Sequence, residues 1–243
     1  MEQKNILLTG ISKGLGLEIA NRLLYKGATV FGLSRSKTPE LERLMAAFPD
    51  RLKWISYDLS DSDNVNKVLF KEFIGKETKL HGFVNNAALA YDDLISNLNV
   101  KSLEQMFWVN VFTPMMITKY VIRQMILYKI KGSIVHLSSI SVHTGYKGLA
   151  MYASSKGALE AFSKNTAREW GELGIRSNCL VAGFMETDMS ASLSNGQKAR
   201  IYSRTSLKSS TSLTSVAETI EFLLSDGAGS VTGQNIFVDS GTI

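Results

Sequence analysis

Short apolar runs alternate along this chain with longer stretches in which apolar side chains recur every three or four positions. The first pattern, bounded by glycine, proline or polar residues, is that of a buried strand; the second is that of an amphipathic helix. Asn5–Thr9, Thr29–Leu33, Leu52–Tyr57, Gly82–Asn85, Ser133–Leu137, Ile175–Val181 and Asn235–Val238 read as strands. Helices are expected over Gly14–Lys26, where Leu15, Ile19 and Leu23 share a stripe, and over Pro39–Phe48, opened by its proline. Further helices are expected over Ser62–Ile74, Leu103–Lys129, Met151–Leu173, Gly196–Arg204 and Ser215–Leu224. No linker, repeat or low-complexity tract interrupts the alternation. It predicts one α/β domain over residues 1–243, a Rossmann-like, doubly wound parallel sheet with helices on both faces and right-handed crossovers. In such folds ligands bind beyond the carboxyl ends of the strands.

Composition narrows the class. With 243 residues, 44% hydrophobic and 20% charged, the chain can bury a substantial core, and wholesale disorder is excluded. Its single cysteine, Cys179, cannot form an internal disulfide or a metal-ligand cluster, so no metal is expected and a reducing cytoplasm suits it. Residues 1–5 lead directly into a strand without a signal-peptide pattern, and no apolar run reaches the length of a membrane span. The net charge of +5 favours an anionic cofactor or partner, or is simply a lysine-rich surface. The basic residues are scattered, with no arginine-rich block, so neither nucleic acid nor membrane is an expected partner.

Candidate chemistry gathers at two places. Tyr152 and Lys156 are one helical turn apart, on one face. An ammonium beside a phenol favours the phenolate and would lower a pKa that is ordinarily about 10, making Tyr152 a general acid or base near neutrality. Ser139, at the end of an apolar run, could donate a hydrogen bond to a carbonyl oxygen at the same place. Taken alone, the pair also reads as a solvated helix face. The second place is Thr9-Gly10-Ile11-Ser12-Lys13-Gly14-Leu15-Gly16, between the first strand and first helix. Glycine there allows close approach of a pyrophosphate to the helix N-terminus. The second strand ends in Ser34-Arg35, where a carboxylate would favour an unphosphorylated ribose. Arg35 with Lys13 instead favours a 2′-phosphate, hence NADP(H). Asp58, followed by Leu59, could accept from the adenine amino group or cap a helix. Asn85-Asn86-Ala87-Ala88 could line the adenosine pocket or form a structural turn.

Read together, TGISKGLG, the Asp58 turn, NNAA, Asn110, Ser139, YASSK and GFMETD resemble the short-chain dehydrogenase/reductase family, over nearly the whole chain. Within it the likeness is to bacterial 3-oxoacyl-acyl-carrier-protein reductases, through YDDLISNL, GFMETDMSASLSNGQ and VTGQNIFVDSG. The resemblance implies an enzyme that reduces a 3-oxoacyl thioester with NADPH. Tyr152 would protonate the carbonyl oxygen, Lys156 would lower the tyrosine pKa and hold the nicotinamide ribose, and Ser139 would orient the carbonyl. Asn110 would hold a relay water. Thr187, with the backbone of Gly183 and Phe184, would fix the nicotinamide amide. Thr9, Gly10, Ser12, Lys13, Gly14, Leu15, Gly16, Ser34, Arg35, Asp58, Leu59, Asn86 and Ala87 would complete the cofactor site. The family assembles as homotetramers through its two long helices and its C-terminal strand, and the substrate lid would span residues 183–210. Three departures stand out: Ala88 for the usual glycine, Ala182 for the usual proline, and Ile130 and Leu173 where basic residues would meet an acidic acyl carrier protein.

Some readings come from the chain itself. Pro114 has no N–H for the carbonyl four residues earlier, so Asn110 is expected at a kink. Ser138 is expected to be structural, and His136 a satisfied buried residue. Met106, Met115, Met116 and Met125 read as core or interface, and Met185, Met189, Leu193 and Tyr202 as an apolar lining for the lid.

Overall fold

The computed structural model describes residues 1, 3–187, 190 and 193–243. Seven strands form one sheet: β1 (Asn5–Thr9), β2 (Thr29–Ser34), β3 (Leu52–Ser56), β4 (Leu80–Asn85), β5 (Ser133–Ser139), β6 (Arg176–Ala182) and β7 (Asn235–Val238). Their order is β3-β2-β1-β4-β5-β6-β7, parallel throughout. The order reverses between β1 and β4, and a crevice opens there at the carboxyl ends.

Strand residues feed two cores because successive side chains point to opposite faces. Ile6 and Leu8 of β1 pack with Leu15, Ile19 and Leu23 of α1 (Gly14–Tyr25) and Val216, Ile220 and Leu223 of α8 (Leu213–Leu224). Leu7 faces the other way, against Phe83, Leu69 and Ile117, Val121 and Met125 of α4 (Thr113–Leu127). Ile6, Leu7 and Leu8 are wholly buried, each contributing about 2 kcal/mol by removal from water. Among the described residues no helix is long and apolar enough to cross a membrane.

The expected helix over 103–129 differs from the observed one. α3 (Val100–Phe107) starts earlier because the Asn99 side chain accepts from the Ser102 N–H at 3.1 Å and caps it. The chain then widens into a π turn, Trp108–Phe112, before α4, with the Thr113 N–H bonded to the Trp108 carbonyl. Pro114 cannot close an α turn onto Asn110, and wider winding accommodates it. The helix expected over 62–74 begins at Val65 and is π-wound to Ile74, since Asp61 holds Asn64 in a turn through its N–H and side chain. α2 (Pro39–Ala47) and α7 (Asn195–Arg204) lie close to their expected spans. α6 (Ala150–Trp170) continues as a 3-10 turn, Gly171–Leu173, and ends at Gly174 with φ +75°. A short α5 (Ser141–Thr144) had no signature in the hydrophobic pattern. His136 is fully buried but only partly satisfied: its Nδ1 meets Asn85 Nδ2 at 3.3 Å, while its Nε2 and the Asn85 Oδ1 have no partner. Burial and the nearby Lys156 charge push its pKa down to about 3, so it is neutral.

Candidate active site

The glycine turn is built to let backbone approach backbone. A Cβ on Gly16 would lie 2.0 Å from the Gly10 carbonyl oxygen, and one on Gly10 would lie 2.9 Å from the Ala87 Cα. Gly10 and Gly14 also have φ of +74° and +54°, favouring glycine. Asn86 clamps this turn from β4. Its Nδ2 donates to the Thr9 and Gly10 carbonyls at 3.0 and 3.2 Å. The Asn86 and Ala87 N–H groups both donate to Thr9 Oγ1 at 3.0 Å. Of the two readings of Asn85–Ala88, the structural turn is the one built, and Thr9 and Asn86 hold the turn's shape with their side chains. The side chains of Leu15 and Leu59 lie in the two cores, leaving their backbones for the crevice. Ser12 is tied to the α2 cap, its carbonyl accepting from Thr38 Oγ1 at 2.6 Å.

Tyr152 and Lys156 lie on α6, which packs over the end of β5. The Lys156 Nζ donates to the Leu137 carbonyl at 2.7 Å and sits 5.8 Å from the centre of the Tyr152 ring. The expected depression of the phenol pKa is not what this arrangement gives. Tyr152 as a whole is only half-buried, but desolvation of its hydroxyl, reinforced by the Asp92 carboxylate, pushes that hydroxyl above its ordinary value. Burial also lowers Lys156 to about 8. Both charged forms are disfavoured for one reason, the cost of leaving water. Ser139 Oγ accepts from the Ser141 N–H at 3.2 Å and from the Ser141 hydroxyl at 3.0 Å. Ser138 turns to the opposite face and donates to Glu160, as expected of a structural residue. Asn110 is buried with its amide engaged: Oδ1 accepts from the Leu89 N–H at 2.8 Å, and Nδ2 donates to Leu89 O at 2.9 Å and Ser155 Oγ at 3.0 Å. Its side chain therefore staples the loop after β4 to α6, and any water would meet its backbone carbonyl at the π turn.

Gly183, after β6, sits where a Cβ would lie 2.3 Å from Thr211 Oγ1 and 2.6 Å from the Asp239 Cα. The Phe184 carbonyl accepts from the Thr211 N–H at 2.8 Å. This contact directs the following segment toward the glycine turn, where Thr187 Cγ2 comes within 3.9 Å of a Cβ built on Gly14. Thr187 is thus brought to the crevice. Of the expected lid lining, Met185 packs on the core and Leu193 is half-buried; Met189 lies outside the described residues. Tyr202 differs: its hydroxyl donates to Glu186, which Lys198 also approaches at 3.4 Å. That latch ties α7 to the segment beside Thr187.

At the β2 end, Ser34 is buried and its hydroxyl already engaged, donating to Ser36 O and accepting from Trp54 Nε1, both at 2.9 Å. Its proton and one of its two lone pairs are thus committed within the protein, leaving one acceptor position for a ribose hydroxyl. Arg35 and Lys13 are exposed at the crevice rim. Lys37, not singled out in the sequence, lies over the Trp54 ring at 4.8 Å. Asp58 accepts from the Ser60 N–H and Ser60 hydroxyl, each at 2.9 Å. These bonds and the Arg35 charge hold its pKa below the usual range. Asp58 thus caps its own turn with one oxygen, and no helix starts there.

Residues 10–242 match the family profile described as enoyl-(acyl carrier protein) reductase. The 3-oxoacyl-[acyl-carrier-protein] reductase of Escherichia coli (strain K12) is 32% identical, over 99% of this chain and 97% of that one. The L-xylulose reductase of Caenorhabditis elegans is 32% identical, over 98% and 95%. The chain belongs to the short-chain dehydrogenase/reductase family. It is an oxidoreductase. A 4-hydroxyisoleucine dehydrogenase structure, complexed with NADH, superposes with a TM-score of 0.92 at 26% identity, covering 99% of this chain and 98% of that one.

The residues present fit the nicotinamide dinucleotide of this family. Gly10 and Gly16 leave no room for a Cβ, and α1 opens at Gly14 with no side-chain cap from Lys13 and no acidic residue in its first turn. Its N–H groups and positive dipole end therefore suit a pyrophosphate. Several site residues of this short-chain enzyme escaped the sequence reading. Asp92 lies in a polar loop and reveals itself only by its field on Tyr152. Ser155 meets Asn110 across 45 positions of sequence, and no spacing within α6 could have paired them. Glu160, buried and bonded by Ser138, His143 and Asn235, is joined from three separate segments, and no local spacing encodes that.

Proposed function

We propose that the protein reduces the keto group of a 3-oxoacyl thioester to the 3-hydroxyacyl thioester, using NADPH. The observation that carries this reading is the pairing of Tyr152 with Lys156 on one face of α6, with the Lys156 Nζ bonded to the Leu137 carbonyl two residues before Ser139 in β5. Reducing a ketone requires hydride at carbon and a proton at oxygen. The dinucleotide, held by the Gly10–Gly16 turn and the 183–187 segment, supplies the hydride when bound. Tyr152 holds the proton for the carbonyl oxygen, and Ser139 donates a second hydrogen bond to that oxygen. Lys156 is the nearby amine that can return a proton to Tyr152, and Asn110 fixes the loop and helix that bound the site. Arg35 and Lys13 at the rim support NADPH over NADH. The likeness to carrier-protein reductases and the half-buried Leu193 support an acyl chain. The enzyme is proposed to be a cytoplasmic homotetramer; exposed Trp108 and Phe112 at the π turn between α3 and α4, and Phe237 and Ile243 at the C-terminal edge, support burial between subunits.

A second reading, a sugar or other ketone, is favoured by two observations. Leu173 is 50% exposed where a carrier-binding cation was expected, and a 32%-identical relative is an L-xylulose reductase. NADPH oxidation with acetoacetyl thioester, free and carrier-bound, against L-xylulose and cyclic ketones separates the readings. Turnover of the thioester best supports the first, and turnover of the sugar alone the second. Tyr152→Phe should bind NADPH normally yet lose turnover by at least about a hundredfold; a variant that retains it removes Tyr152 as the acid.

A further inference from the structure

A hydroxyl oxygen has one proton to donate and two lone pairs to accept with. At Ser139 both lone pairs are taken by a single residue, through the Ser141 N–H at 3.2 Å and the Ser141 hydroxyl at 3.0 Å. We propose that Ser141 is a positioning residue that fixes Ser139 as a hydrogen-bond donor, so that its proton points to the substrate carbonyl oxygen. The inference rests on the reductase reading of this site and adds a residue to it.

Three features make the arrangement a device rather than a chance contact. Ser141 is 3% exposed, so water does not compete for its hydroxyl. It stands at the start of α5, whose position is fixed independently. The Ile140 N–H bonds the Ala182 carbonyl at 3.0 Å, the Thr144 N–H and hydroxyl bond the Ile140 carbonyl at 3.0 and 2.9 Å, and His143 Nε2 meets Glu160 at 3.1 Å. Finally, Ser138, the neighbouring hydroxyl, is occupied by Glu160 on the other face. A free Ser139 hydroxyl could accept from Tyr152 and divert the proton meant for the substrate. With its acceptor positions filled it cannot, and a hydroxyl that accepts two hydrogen bonds is also a better donor.

Two experiments test this. On whichever ketone of the panel the wild type reduces, Ser141→Ala should lower kcat about tenfold, the worth of roughly one hydrogen bond. NADPH affinity, followed by cofactor fluorescence, should stay within about twofold. Ser141→Thr, which restores a hydroxyl, should recover most of the rate. In a Ser139→Ala background the Ser141→Ala change should cost nothing further, because the group it positions is gone. An equal cost in both backgrounds, or a loss of NADPH affinity matching the loss of rate, overturns the proposal in favour of a merely structural serine. A neutron structure of the wild type gives a reading that needs no turnover. A deuteron on Ser141 Oγ directed at Ser139, with the Ser139 deuteron directed away, supports the proposal; a Ser139 deuteron directed at Ser141 overturns it. If no ketone is reduced the reductase reading fails, and the neutron result still decides the hydroxyl orientation.

Discussion

Lys156 is 2% exposed, and its burial lowers its pKa from 10.5 to about 8. The fold therefore favours the neutral amine relative to the unfolded chain. Between pH 8 and 10.5 the unfolded chain carries a proton on this lysine that the native protein has released. The unfolded state then binds more protons, and stability rises with pH across that window. Below pH 8 both states are protonated and the full cost of the buried charge is present, about 3 kcal/mol from the pKa difference. Lys156→Met removes the charge while keeping a long apolar side chain, although the bond to the Leu137 carbonyl is lost. The difference in unfolding free energy, wild type minus variant, should climb by about 2 kcal/mol from pH 7 to 9.5. Urea unfolding followed by tryptophan fluorescence, at one protein concentration, measures it. Alkaline groups that do not feel Lys156, such as Tyr57, raised by burial and by Asp61, remain in both proteins and cancel in the difference. A difference that stays flat over that range, or falls, would refute the claim that the amine is held near 8 by burial.

Two other predictions test the cofactor end. Arg35→Ala should raise the KM for NADPH about tenfold while leaving that for NADH nearly unchanged, the worth of one charge-assisted contact to a phosphate; equal changes for both would remove Arg35 from any 2′-phosphate site. Gly16→Ala puts a Cβ 2.0 Å from the Gly10 carbonyl oxygen, so the turn must open at a cost of about 1–3 kcal/mol. Titration of NADPH fluorescence should show at least tenfold weaker binding, and affinity within twofold of wild type would mean that the turn does not shape the pyrophosphate site.

The sheet was legible because its code is local. Each strand is an apolar run, each major helix a stripe, and parallel order follows from their alternation; β1 and β7 fall on the predicted residues. Departures arose where one residue redirects the backbone. Asn99 starts α3 early through its side chain, and Pro114 widens the turn at Trp108–Phe112. At the site, the spacing of Tyr152 and Lys156 was readable and the electrostatics were not. Spacing put Lys156 beside Tyr152 correctly, but the sign of the phenol shift depends on burial and on Asp92, and neither is a property of spacing. The engagement of Ser34 within the protein was hidden for a similar reason. Nothing in Phe31-Gly32-Leu33-Ser34 announces that Trp54, on the neighbouring strand, will occupy its hydroxyl.

The corrected electrostatics change what each group does in a reduction. In the proposed reduction, a phenol raised by desolvation stays protonated throughout the physiological range, so Tyr152 would hold the proton that the carbonyl oxygen needs. The same burial makes phenolate costly once that proton is given, and the site then draws a proton back strongly. An ordinary lysine, near 10.5, would return one reluctantly. Lys156, lowered to about 8, is protonated at neutrality yet releases its proton over two pH units more readily than a solvated amine. Its bond to the Leu137 carbonyl holds the donor at the end of β5, next to the strand residue that leads into Ser139. Burial thus arms the phenol and readies the amine in the same step, which a lysine that merely depressed the tyrosine pKa through its charge would not do.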